Sequence, residues 1–172
     1  GWATEGRDAF PRIVADVLQY RFPKSTVKLI TRGHPGETTA GALRKILGNV
    51  VAREPDLVLV QFGGNDMGWG RSVRDFRRDL ARLLVRTADE TTAPVIACLP
   101  PIIHTDPNNE WSDTARRVAA AVGLPAADLD RAIRAGAPDF RGPFPYESHP
   151  DGFTHVVMAR EVLRALGEAT GT

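Results

Sequence analysis

Two short runs of apolar residues constrain the fold of this chain more than any other feature. DLVLVQF (56–62) and APVIACL (93–99) lack the strict polar alternation of a strand with one face in water. A near-continuous apolar strand is expected in a sheet that is covered on both faces, and such sheets are mainly parallel. We therefore predict that both runs are buried strands and that DLVLVQF is central in the sheet.

Segments of helical period lie between these runs, so the chain alternates between two kinds of element. Most of them carry apolar residues at three- and four-residue spacing, as on a helix that packs one face on a sheet. The predicted helices cover residues 10–18, 43–51, 73–84, 115–122 and 156–166. Two weaker strands are predicted at STVKLIT (25–31) and AADLD (126–130), the second of them at an edge. This alternation predicts an α/β fold with a mainly parallel sheet and helices on both faces.

Local signals mark where some of these helices begin and end. The first helix is expected to end before Pro23, because proline cannot continue a helix. Thr38 and Thr39 are candidate N-caps of the second helix, since threonine hydroxyls accept hydrogen bonds from free helix amides. Ser72 begins the third helix, and Ser112 is a candidate N-cap of the fourth.

The composition suits one ordinary globular domain over residues 1–172, with 42% hydrophobic and 25% charged residues. The net charge is +1 and no polybasic tract occurs, so neither nucleic acid nor an anionic membrane is expected as a partner. No apolar stretch of membrane-spanning length and no signal-peptide pattern occurs, so we expect a soluble chain. The sequence does not indicate its cellular compartment. Cys98, the single cysteine, is expected to be a buried apolar side chain.

Polar loops follow the predicted strands and precede the last helix. The loops have the sequences RGHPGETT, GGNDMGWG, PPIIHTDPN and YESHPDGFTH. In an open parallel sheet the loops at the carboxyl ends of the strands gather on one edge, where ligands bind. His34, His104 and His149 all fall in these loops, and imidazole is the commonest general base near neutral pH. The sequence therefore predicts a polar site at this edge.

Three of these loop motifs, taken together, resemble those of the SGNH, or GDSL-type, hydrolase family. They are GET (36–38) after one strand, GGND (63–66) after a buried strand, and HPDGFTH (149–155) before the terminal helix. The resemblance runs over nearly the whole chain. It implies a flavodoxin-like three-layer α/β/α sandwich and action on esters and related acyl groups. It also implies that Gly36 is a backbone oxyanion donor, Asn65 a side-chain oxyanion donor and His149 the base.

The chemistry of ester cleavage independently explains why these residue types would occur at such a site. Attack on a carbonyl places negative charge on its oxygen, and preorganised N–H donors stabilise that charge. Gly36 has no Cβ, so a substrate can approach its amide closely. Asn65 offers a neutral, short amide donor behind Gly63 and Gly64. The competing interpretation of each motif is an ordinary turn, and we interpret Asp66 and His155 as structural residues.

The nucleophile implied by the resemblance has no counterpart within residues 1–172. The family carries it in a Gly-Asp-Ser sequence at the end of the first strand, and this chain contains no such sequence. The opening GWATEGRDAFPRIV is similar to the segment that follows that serine. We therefore expect that the serine and a first central strand come from a missing N-terminal segment or another chain. Neither Ser25 nor Ser148 fits the motif, and Ser148 is adjacent to His149, where side chains seldom converge.

The acid partner of His149 also departs from the family pattern. The family usually has aspartate three residues before the histidine, and here that position is Tyr146. Tyrosine is not an anion near pH 7, because its reference pKa is about 10. Glu147 is the nearest substitute and would hold the imidazole in the correct tautomer. The hypothesis is a Ser-His dyad or a Ser-His-Glu arrangement.

The leading interpretation is a serine ester hydrolase that acts through an acyl-enzyme on a small-molecule or carbohydrate ester, without metal or organic cofactor. An acyltransferase of the same fold is the nearest alternative. A non-catalytic carbohydrate- or partner-binding module is an alternative of a different class, and a nucleotide binder lacks a phosphate loop of recognised spacing. Trp2, Trp69 and Trp111 fit an aromatic cleft wall and a core role equally well.

Overall fold

The computed structural model describes residues 9–101, 110–136 and 150–170, and it centres on a parallel sheet. The described sheet has three strands, β1 (Val58–Gln61), β2 (Val95–Leu99) and β3 (Ala126–Asp128), in the order β1-β2-β3. Both pairings are parallel, with Val58 opposite Val95 and Ala97 opposite Ala126. The carboxyl ends of all three strands therefore lie at one edge, as the sequence predicts.

Helices lie between the strands and beyond them. They are α1 (Phe10–Arg21), α2 (Thr39–Asn49), α3 (Gly64–Gly68), α4 (Val73–Asp89), α5 (Glu110–Val122), α6 (Leu129–Gly136) and α7 (Gly152–Thr170). A short 3-10 turn, Val51–Arg53, follows α2. Within the described ranges, no helix combines the length and apolar character needed to cross a membrane.

Alternate residues of β2 face two separate apolar layers. Val95, Ala97 and Leu99 pack with residues of α2, α4 and α5, and Ile96 and Cys98 pack with residues of α1, α6 and α7. All five residues are buried, which the apolar run APVIACL predicts. The three-layer α/β/α arrangement expected from the sequence is therefore confirmed.

Cys98 is the buried apolar side chain that its sequence context indicates. Its side chain belongs to the layer formed with α1, α6 and α7. Burial raises the pKa of the thiol to about 12, because the thiolate would lose its hydration there. A thiol that stays protonated is a poor nucleophile, so its burial fits a structural side chain.

The helix predictions are confirmed in position, with corrections at the caps. Thr38 caps α2 by accepting a hydrogen bond from the amide of Gly41 at 3.4 Å, and Thr39 is the first helical residue. Ser72 caps α4. The prediction that Ser112 is an N-cap is wrong, because α5 begins at Glu110 and the Ser112 hydroxyl donates to the carbonyl of Pro100 at 3.4 Å.

Two strand predictions are also wrong. Residues 25–31 form no strand, and β2 rather than β1 is the central strand of the described sheet. No described strand pairs with residues 25–31, and the side chain of Gln19 bonds part of this backbone instead. Its amide donates to the carbonyl of Ser25 at 2.7 Å and accepts from the amide of Val27 at 3.0 Å. An apolar run indicates burial but does not determine which strand lies beside it.

Asp130 on α6 carries a buried carboxyl whose charge is only partly compensated. Its Oδ2 accepts a hydrogen bond from Arg134 Nε at 3.3 Å, and its Oδ1 is buried without a hydrogen-bond partner in the described part of the chain. Burial raises the pKa of this carboxyl above its ordinary value, although the charge of Arg134 opposes the shift. The folded protein therefore disfavours the ionised form.

We predict that Asp130→Asn stabilises the protein near neutral pH. A carboxyl whose folded-state pKa is raised costs nothing below its unfolded-state pKa, and its cost is complete above the folded-state pKa. The melting temperature of the variant should exceed that of the wild type by about 1 to 3 °C at pH 7, and the difference should vanish near pH 3. Thermal melts at both pH values measure this. Asp56→Asn, at an exposed position, is the control, and an unchanged or lower melting temperature of Asp130→Asn at pH 7 contradicts the prediction.

Candidate active site

A tight turn presents the backbone of Gly36. The amide of Glu37 donates to the carbonyl of His34 at 3.1 Å, which closes a four-residue turn with Pro35 and Gly36 at its centre. Gly36 has φ +71°, a value that residues with a Cβ rarely adopt. Proline followed by glycine is the sequence that a type II turn favours. The exposed amide of Gly36 donates no hydrogen bond within the described ranges.

Gly63 allows the chain to turn sharply as it leaves β1. Its φ is +129°, and a Cβ at this position would lie 3.0 Å from Pro100 Cγ and 3.2 Å from Phe76 Cζ. Glycine is therefore required both by the backbone conformation and by the packing of the neighbouring side chains. The turn leads into α3, where Asn65 is the second residue and has an exposed side chain.

The carboxamide of Asn65 connects this turn to the Gly36 turn. Its Nδ2 donates to the backbone carbonyl of Glu37 at 2.9 Å. A carboxamide nitrogen carries two hydrogens, so this bond leaves one N–H available and restricts the rotation of the group. The structure thus brings the side-chain amide of Asn65 to the residue next to Gly36.

Asp66 joins α3 to the start of α2. Its side chain is fully buried and accepts hydrogen bonds from both groups of Thr39, from the amide at 3.0 Å and from the hydroxyl at 2.6 Å. Arg71 adds an ionic contact, with its Nη1 3.4 Å from Asp66 Oδ1. Both carboxylate oxygens are therefore committed to structure. The interpretation of Asp66 as a structural acceptor fits these contacts.

The guanidinium of Arg71 extends this network to α4. Its Nη2 donates to Asp79 Oδ2 at 2.5 Å, and Arg78 Nε donates to Asp79 Oδ1 at 2.8 Å. The hydrogen bond from Arg78 is the largest cause that lowers the pKa of Asp79, and the bond from Arg71 adds to it. Asp79 is therefore an anion at neutral pH, and it anchors Arg71, which also contacts Asp66.

The three tryptophans do not share one role. Trp111 is partly buried and packs on Phe76, with ring centroids 4.9 Å apart, so it belongs to the core. Trp69 directly follows α3 and its side chain is 71% exposed. Its indole is the nearest group to a Cβ built on Gly36, at 3.7 Å from Cζ2. Trp2 lies outside the described residues. Of the described tryptophans, Trp69 is the one beside the candidate donors.

His149 and Glu147, the predicted base and its partner, lie outside the described residues, as do His104 and Ser148. The segment that follows them begins α7, where Asp151 Oδ1 accepts a hydrogen bond from the amide of Thr154 at 2.8 Å. His155 is buried, and its Nδ1 accepts from the amide of Phe10 at 3.2 Å. That bond ties α7 to α1 and fits the structural role expected for His155.

Sequence reasoning missed the residues that hold the candidate donors in place. The carbonyl of Glu37 orients Asn65, and Thr39 and Arg71 hold Asp66. One signal was present, because two consecutive threonines stand where α2 begins and a helix needs one N-cap. Thr38 takes the cap, which leaves Thr39 free to bond Asp66. Among the described residues, no three histidine, cysteine, aspartate or glutamate side chains form a group that could hold a metal ion.

Comparison with known proteins adds a family and a fold. The model of the GDSL-like Lipase/Acylhydrolase family matches residues 1–156. The structure of an acetylxylan esterase from Geobacillus stearothermophilus superposes with a TM-score of 0.80 at 20% identity, covering 92% of this chain and 81% of that one. A lipase/acylhydrolase from Enterococcus faecalis gives 0.74 at 22% identity, covering 91% and 86%.

A third solved structure, LAE5, is an alpha/beta hydrolase enzyme from the metagenome of Lake Arreo, Spain. It superposes with a TM-score of 0.79 at 23% identity, covering 93% of this chain and 82% of that one. At such identities the three likenesses concern the fold. No curated protein matches the sequence of this chain.

Proposed function

Because the chain belongs to the GDSL-like lipase/acylhydrolase family and is thus an ester-acting hydrolase, we propose that it cleaves a carboxylic ester through an acyl-enzyme. One observation carries the proposal: the side-chain amide of Asn65 bonds the backbone of Glu37, the residue next to Gly36, at an exposed place. The carboxamide of Asn65 keeps one free hydrogen while its other bonds the carbonyl of Glu37, and the amide of Gly36 has no acceptor among the described residues.

The oxyanion is stabilised by these two donors. When a nucleophile attacks the ester carbonyl, the oxygen gains negative charge and accepts hydrogen bonds from Gly36 N–H and Asn65 Nδ2–H. Donors that are already oriented stabilise this charge without the reorganisation that water would need. The turn at Gly36 and the bond from Asn65 to Glu37 supply that orientation before any substrate binds.

His149 is the general base in this proposal. It removes the proton from a serine hydroxyl as the oxygen attacks the carbonyl, and it returns the proton to the leaving alcohol when the tetrahedral intermediate collapses. A water molecule then attacks the acyl-serine, its proton passes to the same imidazole, and the serine leaves with that proton. Glu147 orients the imidazole in a Ser-His-Glu arrangement, and a Ser-His dyad is the simpler form.

The nucleophilic serine is proposed to lie outside the 172 residues of the sequence. Two of the three described serines have structural tasks, since Ser72 caps α4 and Ser112 donates to the carbonyl of Pro100. Ser25 is exposed beside Gln19, which bonds its carbonyl. Another segment of the same polypeptide, or a second chain, would supply the hydroxyl opposite the two donors. The same site would serve an acyltransferase if an alcohol replaced water in the second step.

Covalent trapping of the full-length protein tests this function. A fluorophosphonate reacts with an activated serine hydroxyl and releases fluoride, and peptide mass spectrometry then identifies the labelled residue. We expect one labelled serine outside residues 1–172, and we expect slower labelling in Asn65→Ala because the phosphoryl oxygen uses the same donors. Label on Ser25, Ser72, Ser112 or Ser148 would refute the proposed location, and the absence of any label would refute the serine mechanism.

A further inference from the structure

We propose that the indole of Trp69 is a specificity-determining platform for the sugar ring of an acylated saccharide. This inference rests on the proposed function, because it assigns the group that lies beside the reacting carbonyl. Trp69 is 71% exposed, which leaves a large apolar face in water next to the candidate donors. A tryptophan at a boundary with water offers an apolar ring and a polar indole N–H, so it is suited to binding a ligand that has both apolar and polar groups.

The backbone holds Trp69 in a fixed position relative to Asn65. The amide of Trp69 donates to the carbonyl of Asn65 at 2.9 Å. The next two amides complete a Schellman motif at the end of α3, with Gly70 bonded to Met67 at 2.9 Å and Arg71 bonded to Asp66 at 3.0 Å. Gly70 supplies the left-handed residue of this motif, with φ +69°. The same short helix thus positions both the donor and the aromatic side chain.

The indole lies directly beside the second donor residue. A Cβ built on Gly36 would be 3.7 Å from Trp69 Cζ2 and 4.0 Å from its Nε1, which is ordinary van der Waals contact. An ester whose carbonyl oxygen bonds both Gly36 and Asn65 carries two groups on its carbonyl carbon, the acyl group on one side and the alkoxy group on the other. Because the ring is in contact distance of Gly36, we place one of these substituents on the indole.

The shape around the indole favours a flat ring over a long acyl chain. Trp69 is 71% exposed, so its indole offers one open apolar face rather than an enclosed pocket. A long chain needs several apolar walls to leave water, and a single exposed face cannot provide them. A pyranose places its C–H face on an aromatic ring and keeps its hydroxyls in water. The indole N–H and the carboxamide oxygen of Asn65, which accepts no hydrogen bond within the described ranges, offer polar partners beside this face.

The test compares two esters in the full-length protein. One is acetylated methyl β-D-xylopyranoside and the other is ethyl acetate, which has no ring, and released acetate is measured for both. In Trp69→Ala the ratio of kcat/KM for the sugar ester to that for ethyl acetate should fall roughly 10- to 50-fold, mainly through KM. Trp69→Phe should recover most of the ratio. Tyr20→Ala, an exposed aromatic residue on α1, should keep the ratio of the wild type.

An unchanged ratio in Trp69→Ala overturns the proposal, whether both rates fall together or neither falls. Acetylcholine is a further probe, and an equal loss with this ester would reassign the indole to a cation. If the wild type hydrolyses no ester, the hydrolase proposal fails by itself. Calorimetric binding of the same acetylated xyloside then decides the role of Trp69: a Kd at least tenfold weaker in Trp69→Ala supports it, and an equal Kd, or no binding to the wild type, overturns it.

Discussion

Asn65→Ala is expected to lower kcat/KM for ester hydrolysis by about 100- to 1000-fold. The carboxamide of Asn65 donates one hydrogen to the carbonyl of Glu37, and the second is the free donor at the candidate oxyanion site. A donor that bonds the charged transition state more strongly than the neutral ester should change kcat far more than KM. Initial rates of the full-length protein with a short-chain ester measure both constants.

Stability measurements separate the loss of this donor from unfolding. The side chain of Asn65 is exposed, and the one hydrogen bond that it makes within the described part of the chain is worth about 1 kcal/mol or less. The melting temperature of Asn65→Ala should therefore fall by no more than about 4 °C. Asn49→Ala removes a carboxamide beside His34 and serves as the control, with kcat/KM close to that of the wild type. A loss in Asn65→Ala of less than about tenfold would exclude Asn65 as an oxyanion donor.

Asp66→Ala is expected to cost about 3 to 5 kcal/mol of the free energy of unfolding. The carboxylate is fully buried and accepts from the amide and the hydroxyl of Thr39, and Arg71 contacts it as well. Its removal leaves the amide and the hydroxyl of Thr39 buried without this acceptor. A domain is typically stable by only about 5 to 15 kcal/mol, so this is a large share of the total. Urea unfolding at pH 7 measures the change.

Thr39→Val provides a milder test of the same network. It removes the hydroxyl and keeps the backbone amide, so we expect a cost of about 1 to 2 kcal/mol. In the double variant the two costs should not add, since the hydroxyl and the carboxylate are partners at 2.6 Å. Asp56→Ala, at an exposed aspartate, should change the free energy of unfolding by less than about 0.5 kcal/mol. A cost below about 1 kcal/mol for Asp66→Ala, or additive costs, would contradict this account.

The sequence was sufficient to predict the order and type of most elements. The helical period of residues 10–18 and 73–84 predicts α1 and α4, and the apolar run APVIACL predicts β2. Glycine, proline and asparagine predict turns, because their backbone preferences are properties of single residues. The loop motifs also brought Gly36 and Asn65 forward as partners in one site, and the structure places the Asn65 amide on the neighbour of Gly36. Their catalytic roles, and that of His149, stay predictions.

The two wrong strand predictions have a common physical cause, because the pairing of strands depends on residues that are distant in sequence. STVKLIT has the composition of a strand, but a strand needs hydrogen bonds from a neighbouring strand, and its own sequence does not specify that neighbour. The exposed fractions of Leu29 and Ile30, 38% and 39%, reflect that lack of pairing in the described structure. DLVLVQF forms β1 as predicted but lies at the edge of the described sheet, because burial on two faces does not specify strand order.

By itself the sequence determined the local backbone states and the chemical types at this site: a turn that requires glycine, a neutral amide after a buried strand, and a carboxylate beside it. Tertiary structure alone decided which partners these groups bond. It assigned one hydrogen of Asn65 to Glu37, 28 positions away in sequence, and Asp66 to Thr39, 27 positions away. It also left the indole of Trp69 exposed beside Gly36 and placed Trp111 against the core. Periodicity describes which face of an element is buried, whereas the partner across that face depends on how separate elements pack.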